Sequence, residues 1–173
     1  VAVSLMEAGI DINKIKDQFS SFTGMGRRFQ KVGETDGIKI YDDYAHHPSE
    51  IKTTLNSLKT AVKNNNSVVA VFQPHRYSRL QGLWNEFKNA FNDADFLFVT
   101  DVYAACEEPI ENINSKKFVD EMNKNNVKYI QGNMEQAARE IITMLKKDDI
   151  VVTLGAGTIT NLGKYLLETN MKV

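Results

Sequence analysis

The stretch that decides the fold is residues 68–79, which read Val68-Val69-Ala70-Val71-Phe72-Gln73-Pro74-His75-Arg76-Tyr77-Ser78-Arg79. The first five residues are all apolar, whereas a strand with one face in water alternates apolar and polar side chains. Such a run is typical of a parallel strand that helices cover on both faces. The polar residues that follow it would lie at the carboxyl end of the strand, where open α/β sheets bind their ligands.

Strand and helix patterns alternate on both sides of this run. Upstream, Phe29–Tyr41 is predicted to form a hairpin that turns at Asp36-Gly37, and an amphipathic helix is predicted after Pro48. Downstream, three further strands are separated by helical patterns: Phe96–Thr100, Val127–Ile130 and Ile150–Leu154. The alternation predicts a Rossmann-like α/β fold, an open and mostly parallel sheet with helices on both faces, preceded by a β-hairpin.

Three expectations concern the helices in detail. Ser115 is predicted to cap one helix, and Met134–Leu145 is predicted to form another. A third helical stripe is predicted from the spacing of five apolar residues: Leu83, Trp84, Phe87, Ala90 and Phe91.

Length and composition limit the classes of protein to consider. The chain has 173 residues and a net charge of −1, which argues against a nucleic-acid partner. No apolar run approaches the length that spans a membrane. The single cysteine, Cys106, excludes a disulfide within the chain and favours a reducing cytoplasm. We expect residues 1–23 to be a helical tail of a preceding domain plus a linker, and residues 24–173 to form one domain.

All three histidines lie in two loops, each of which follows an apolar strand. His46 and His47 belong to the first loop and His75 to the second. Arg76 and Arg79 are three residues apart, so they are expected to face the same way and to form a cationic cluster with His75. Planar guanidinium groups suit the capture of a carboxylate or phosphate. The pattern therefore predicts a site for an anionic ligand.

Two other kinds of site are disfavoured. Adjacent histidines in an extended chain point in opposite directions, so His46 and His47 make a poor metal site, and we expect no bound transition metal. The run Gly155-Ala156-Gly157 lacks the third glycine of a dinucleotide fingerprint. The segment through Gly163-Lys164-Tyr165 does not match a phosphate loop either. A tight strand-to-helix turn is the favoured interpretation of the glycines.

Four segments together resemble the C-terminal domain of the Mur ligases. They are Gly26-Arg27-Arg28-Phe29-Gln30, Asp42–Pro48, Phe72–Arg79 and Asp101-Val102-Tyr103-Ala104-Ala105. The resemblance implies the closing domain of an ATP-dependent amide ligase of bacterial peptidoglycan synthesis, in the branch that joins L-alanine to UDP-N-acetylmuramate. In that family the preceding domains hold the phosphate loop, the Mg²⁺ ligands and the UDP-sugar. The resemblance therefore implies that ATP and Mg²⁺ serve the full-length enzyme and that this fragment is inactive alone.

The resemblance also implies roles for individual residues. Arg28, Asp43 and His46 are expected to contact the nucleotide. The expected contacts with L-alanine and the reacting carboxylate come from four residues: Tyr44, His75, Arg76 and Arg79. No catalytic residue and no metal ligand is assigned within this chain. We expect Asp43 to have little packing duty, because it lies at a strand end.

Two alternatives stay open. One is the related recycling ligase, which attaches a tripeptide to the same sugar and shares an Asp-x-x-His-His-Pro-like segment. We expect that enzyme to differ in the second loop, so Gln73–Tyr77 favours the L-alanine branch. The other alternative is a nucleotide-binding module without catalysis.

Overall fold

The structure is a computed structural model, and it describes residues 26–62 and 66–170. The predicted tail, residues 1–23, lies outside this part of the chain. The strands are β1 (Gln30–Thr35), β2 (Ile38–Asp43), β3 (Val68–Phe72), β4 (Phe96–Thr100), β5 (Val127–Ile130) and β6 (Ile150–Leu154). The helices are α1 (Pro48–Ala61), α2 (Tyr77–Gly82), α3 (Trp84–Lys88), α4 (Ser115–Met122), α5 (Met134–Ile142) and α6 (Leu162–Asn170). A 3₁₀ turn (Thr158–Asn161) precedes α6.

The described strands form one sheet in the order β1-β2-β6-β3-β4-β5. Strand β1 pairs with β2 in the antiparallel sense, and every other pairing is parallel. The predicted hairpin and Rossmann-like sheet are therefore confirmed. The last strand, β6, lies between β2 and β3, so the carboxyl ends of strands that are distant in sequence meet at one edge.

Helices cover both faces of the sheet, which explains the apolar pattern of β3. Its Val68, Ala70 and Phe72 pack in a core with α1, α2, α3 and α4. Its Val69 and Val71 pack in a second core with α5 and α6. All five residues are buried, so neither face of this strand could tolerate a polar side chain without cost.

The helix ends differ in detail from the sequence predictions. The stripe beginning at Leu83 is divided: Leu83 separates α2 from α3, and Ala90 and Phe91 are buried beyond the end of α3. The periodicity reports which side chains are buried, and burial does not require one continuous helix. Helix α5 ends at Ile142, short of the predicted Leu145. No helix among the described residues is long and apolar enough to cross a membrane.

The cap of α4 is also one residue earlier than predicted. Asn114 is the N-cap, and its side-chain oxygen accepts a hydrogen bond from the backbone N–H of Lys117 at 2.8 Å. Ser115 is instead the first helical residue. Its hydroxyl is buried and has no hydrogen-bond partner among the described residues. Both residue types are good caps, so sequence alone does not decide between neighbours.

Candidate functional site

Backbone hydrogen bonds tie together the loops at the carboxyl edge of the sheet. The N–H of Gly155, after β6, donates to the carbonyl oxygen of Asp43 at 3.2 Å, and the N–H of Gln73 donates to that of Leu154 at 3.0 Å. The N–H of Tyr103, after β4, donates to the carbonyl oxygen of Pro74 at 2.8 Å. Loops from four neighbouring strands are therefore held side by side, and the two histidine loops lie at the same edge of the sheet.

Four aromatic rings form a row along this edge, which we call the ring row: Tyr44, His46, His75 and Tyr103. The Tyr44 and His46 rings meet edge to face with centroids 5.1 Å apart. The His46 and His75 centroids are 6.0 Å apart, and His75 stacks on Tyr103 at 5.5 Å. Tyr44 and Tyr103, at the two ends, are each 37% exposed. The row therefore presents a partly open polar and aromatic surface to a ligand.

The two arginines of the second loop take different partners. Nη1 of Arg79 lies 3.1 Å from Nδ1 of His75. Arg76 lies instead near Glu107, with 3.8 Å between Nη1 and Oε1, and its side chain is half exposed. The charges of both arginines act on His75, as the predicted cluster requires, but only Arg79 contacts its ring. Arg76 precedes α2 with a positive φ of 71°, so helical spacing does not decide its direct partner.

His75 is favoured in its neutral form. Burial lowers the pKa of His75, and the nearby charges of Arg79, His46 and Arg76 lower it further, against the opposing effect of Glu107. Because a guanidinium can only donate, the contact with Arg79 requires Nδ1 of His75 to accept. The ring then carries its proton on Nε2 and offers that N–H to a ligand.

Glu50 organises the first histidine loop. Its Oε2 accepts hydrogen bonds from the backbone N–H groups of His46 at 3.0 Å and His47 at 3.2 Å, at the start of α1. Burial raises the pKa of Glu50, but these two donors and the charges of His46 and Arg28 outweigh it, so the pKa is held below its usual range. The ionised carboxylate fixes the loop at the helix start, where negative charge is stabilised.

Asp43 has more structural duty than its position at a strand end suggested. It is only 6% exposed. Its Oδ2 accepts from the N–H of Phe29 at 2.8 Å, and its Oδ1 accepts from the N–H of Ala45 at 2.7 Å. The expectation that this carboxylate has little packing duty is therefore wrong, because it satisfies backbone donors on both sides of the loop.

Asp42 faces the opposite side of the sheet and is also buried, at 3% exposure. It accepts hydrogen bonds from the hydroxyls of Thr153 at 2.6 Å and Thr160 at 3.0 Å. Nε of Arg27 lies 3.0 Å from its Oδ2. The charge of Asp42 is thus balanced by one guanidinium and two donors, as a buried carboxylate requires.

The glycine run after β6 is a tight turn, as its interpretation from the sequence expected. Gly155 has a φ of +147°, and a Cβ there would lie 2.9 Å from the carbonyl oxygen of Gln73. At Gly157 a Cβ would lie 2.5 Å from Oε1 of Gln73 and 2.6 Å from the Tyr103 ring. Both glycines are required because the β3 and β4 loops approach so closely.

The described residues contain no group of three or more His, Cys, Asp or Glu side chains that could hold a metal ion. His46 and His47 belong to different contacts: Nδ1 of His46 lies 2.9 Å from the carbonyl oxygen of Tyr44, and Nδ1 of His47 lies 3.0 Å from Oγ of Ser49. The absence of a bound transition metal stays a prediction.

The sequence model of one family, "Mur ligase, glutamate ligase domain", matches residues 27–157. The chain belongs to the Mur ligase family. The match begins at Arg27 and ends at Gly157, so it includes every loop of the site described above.

Two relatives from bacteria are named UDP-N-acetylmuramate–L-alanine ligase. The protein from Rickettsia felis is 44% identical over 96% of this chain and 35% of its own length. The protein from Brachyspira hyodysenteriae is 47% identical over 89% of this chain and 33% of its own length. This Mur ligase chain therefore spans about a third of the length of the curated relatives it matches.

The fold is shared with a solved Mur ligase. The UDP-N-acetylmuramate-alanine ligase from Thermotoga maritima superposes with a TM-score of 0.69 at 23% sequence identity. The alignment covers 98% of this chain and 36% of that one.

The structure brings the residues singled out from the Mur ligase resemblance to one edge. Arg28 is exposed and lies just before β1. The others lie in or beside the ring row: Asp43, Tyr44, His46, His75, Arg76 and Arg79. Sequence reasoning missed the buried roles of Arg27, Asp42 and Gln73. One signal was available for Asp42: it shares a strand face with Ile38 and Ile40, and a carboxylate on a buried face is almost never left without a partner.

We predict that Asp43→Ala destabilises the chain by about 1–3 kcal/mol, because two backbone N–H donors lose their acceptor. Asp43→Asn keeps one acceptor oxygen and should cost less. Urea denaturation measures both values. Glu34→Ala, which removes only an exposed ion pair with Lys31, is the control. An Asp43→Ala midpoint equal to wild type would contradict the structural role.

We also predict that His75 titrates below the usual histidine pKa of about 6.5. Arg79→Ala should raise the pKa of His75, because it removes a neighbouring positive charge and the donor to Nδ1. Proton NMR of the ring across pH measures both values. A His75 pKa above the usual value, or one that does not respond to Arg79→Ala, would refute the assignment.

Proposed function

We propose that this chain is the C-terminal part of an ATP-dependent amide ligase that joins L-alanine to UDP-N-acetylmuramate in bacterial peptidoglycan synthesis. The observation that carries the proposal is the site itself: the ring row and its arginines lie at one sheet edge, within the region that the Mur ligase family shares. The names of the relatives that are 44% and 47% identical support the choice of substrates. The cytoplasm, where ATP is available, is the proposed location.

In the proposed reaction the muramyl carboxylate is phosphorylated by ATP, and the amine of L-alanine then displaces phosphate through a tetrahedral intermediate. The residues of this chain would bind and neutralise charge, which is how most of the barrier in phosphoryl transfer is lowered. Arg79, held by His75, would take the carboxylate of L-alanine, and the exposed fork of Arg76 would lie beside it. Tyr44 would close the other end of the ring row.

The nucleotide would lie against the first loop. Arg28 is exposed there and has no hydrogen bond or ion pair among the described residues, so its guanidinium is available for phosphate. Each oxygen of Asp43 accepts one N–H and retains a second lone pair, so the carboxylate could still accept from a ribose hydroxyl. His46 lies between this loop and the ring row. The described residues offer no metal cluster, so the Mg²⁺ ligands would come from elsewhere in the complete ligase.

We predict that Arg79→Ala in the complete ligase raises the KM for L-alanine more than the KM for ATP. Loss of a charge-assisted contact corresponds to about 10- to 100-fold in affinity. Arg76→Ala should act in the same direction but less, since its side chain is half exposed. Steady-state kinetics with each substrate varied measure the effect, and Arg139→Ala, which removes an exposed ion pair with Glu135 on α5, is the control. Unchanged L-alanine kinetics in both variants would remove these arginines from the site.

The isolated chain should melt cooperatively but should neither hydrolyse ATP nor form an amide bond. Its own residues form two cores that sandwich the sheet, whereas the residues it offers to the nucleotide form an open wall without a phosphate loop. The test is phosphate release with UDP-N-acetylmuramate, L-alanine, ATP and Mg²⁺, for the isolated chain and for the complete protein. The proposed function requires that the complete protein join L-alanine to UDP-N-acetylmuramate in this assay. A preference for a tripeptide over L-alanine would favour the recycling ligase, and turnover by the isolated chain would refute the proposed division of labour.

A further inference from the structure

The segment that enters β1 has an unusual backbone on both sides of Arg28. Arg27 has a φ of 63° and Phe29 a φ of 48°. Side chains other than glycine rarely adopt this left-handed region, and they persist there only when their surroundings hold them. The conformation of residues 27–29, which we call the entry segment, must therefore be maintained by specific contacts.

Arg27 supplies most of those contacts. Its Nε lies 3.0 Å from Oδ2 of Asp42, and its Nη2 lies 2.6 Å from the carbonyl oxygen of Gly155. The guanidinium also lies over the Tyr44 ring, 4.9 Å from the centroid. Its backbone carbonyl accepts from the N–H of Tyr44 at 2.7 Å. This one residue thus joins the entry segment to the ends of β2 and β6.

Phe29 is held on the other side of Arg28. Its backbone N–H donates to Oδ2 of Asp43 at 2.8 Å. Its ring stacks on Tyr41 with centroids 4.7 Å apart and planes 8° from parallel, although 44% of the residue stays exposed. The two adjacent carboxylates of β2 therefore hold the segment at both ends: Asp42 accepts from Arg27, and Asp43 accepts from Phe29.

Arg28, between these two held residues, has an exposed side chain with no hydrogen bond or ion pair in the described part of the chain. Its charge acts on Glu50 at the start of α1, which indicates that it lies on the side of the first histidine loop. A network of buried and half-buried contacts thus holds the backbone of a residue whose own side chain has no hydrogen bond or ion pair among the described residues. That arrangement is typical of a side chain that is positioned for a ligand.

We propose that Arg27 is a positioning residue, which holds the entry segment so that the guanidinium of Arg28 meets the phosphates of the nucleotide. The inference rests on the proposed function and adds to it a role for Arg27 and for the Gly155 turn. Breaking a purely structural network at Arg27 would lower the stability of the fold but leave the KM for ATP unchanged. If Arg27 acts by positioning Arg28, its loss raises the KM for ATP only while Arg28 is present.

The deciding variant is Arg27→Gly in the complete ligase. Glycine adopts a φ of 63° without strain, so this variant should melt closer to wild type than Arg27→Ala, yet it leaves the segment without its anchor. We expect the KM for ATP to rise about tenfold, the size of one lost charge-assisted contact. The KM for L-alanine should change less than about twofold. Arg27→Lys, which keeps the charge beside Asp42, should recover part of the loss.

The mechanism is tested by a double-mutant cycle with Arg28→Ala. If Arg27 acts through Arg28, adding Arg27→Gly to Arg28→Ala should raise the KM for ATP no further. Lys31→Ala, which removes an exposed ion pair on β1 just beyond the segment, is the matched control and should behave as wild type.

Each contrary outcome has a separate meaning. Additive effects on the KM for ATP, or an unchanged KM in Arg27→Gly, would overturn the positioning role. An active ligase in which Arg28→Ala has no effect would also overturn it, while leaving the proposed function intact. Absence of ligation by the complete wild-type protein would overturn the proposed function itself.

Discussion

The insertion of β6 between β2 and β3 is the constraint on which the rest of the structure depends. It places Thr153 beside Asp42 and Leu154 beside both Asp43 and Phe72. At the end of β6, the carbonyl oxygen of Leu154 accepts a hydrogen bond from the N–H of Gln73, and the N–H of Gly155 donates to the carbonyl oxygen of Asp43. Because the end of β6 is hydrogen-bonded to both neighbours, it joins the two histidine loops. The ring row depends on this join.

Charge is distributed around this register according to burial. The buried carboxylate Asp42 is paired with Arg27, because an unpaired charge there would be costly. The half-exposed Arg76 lies only near Glu107, in a contact of the kind that contributes little to stability. Arg28 has no such contact in the described part of the chain. The site therefore combines an internally satisfied base with two guanidinium groups, those of Arg28 and Arg76, that are exposed at its surface.

Much of the fold could be predicted because its signals are local. The turn at Asp36-Gly37, the apolar run of β3 and the periodicity after Pro48 each depend on residues within one element, and each was confirmed. The errors arose where a choice depends on neighbouring elements. The stripe after Leu83 is divided between two helices and a buried tail, and Asn114 rather than Ser115 caps α4.

The sequence by itself determined the class of fold, the edge at which the polar loops gather and the residue types available there. Only the tertiary structure decided which partner each arginine takes and which arginine stays exposed. It pairs Arg27 with Asp42 and leaves Arg28 exposed, and it joins Arg79 to His75 while Arg76 faces Glu107. The physical reason is that these choices depend on the positive φ angles of Arg27 and Arg76 and on contacts between distant parts of the chain. The contact of Arg27 with Gly155, for example, joins residues more than 100 positions apart. No local pattern of side chains encodes either feature.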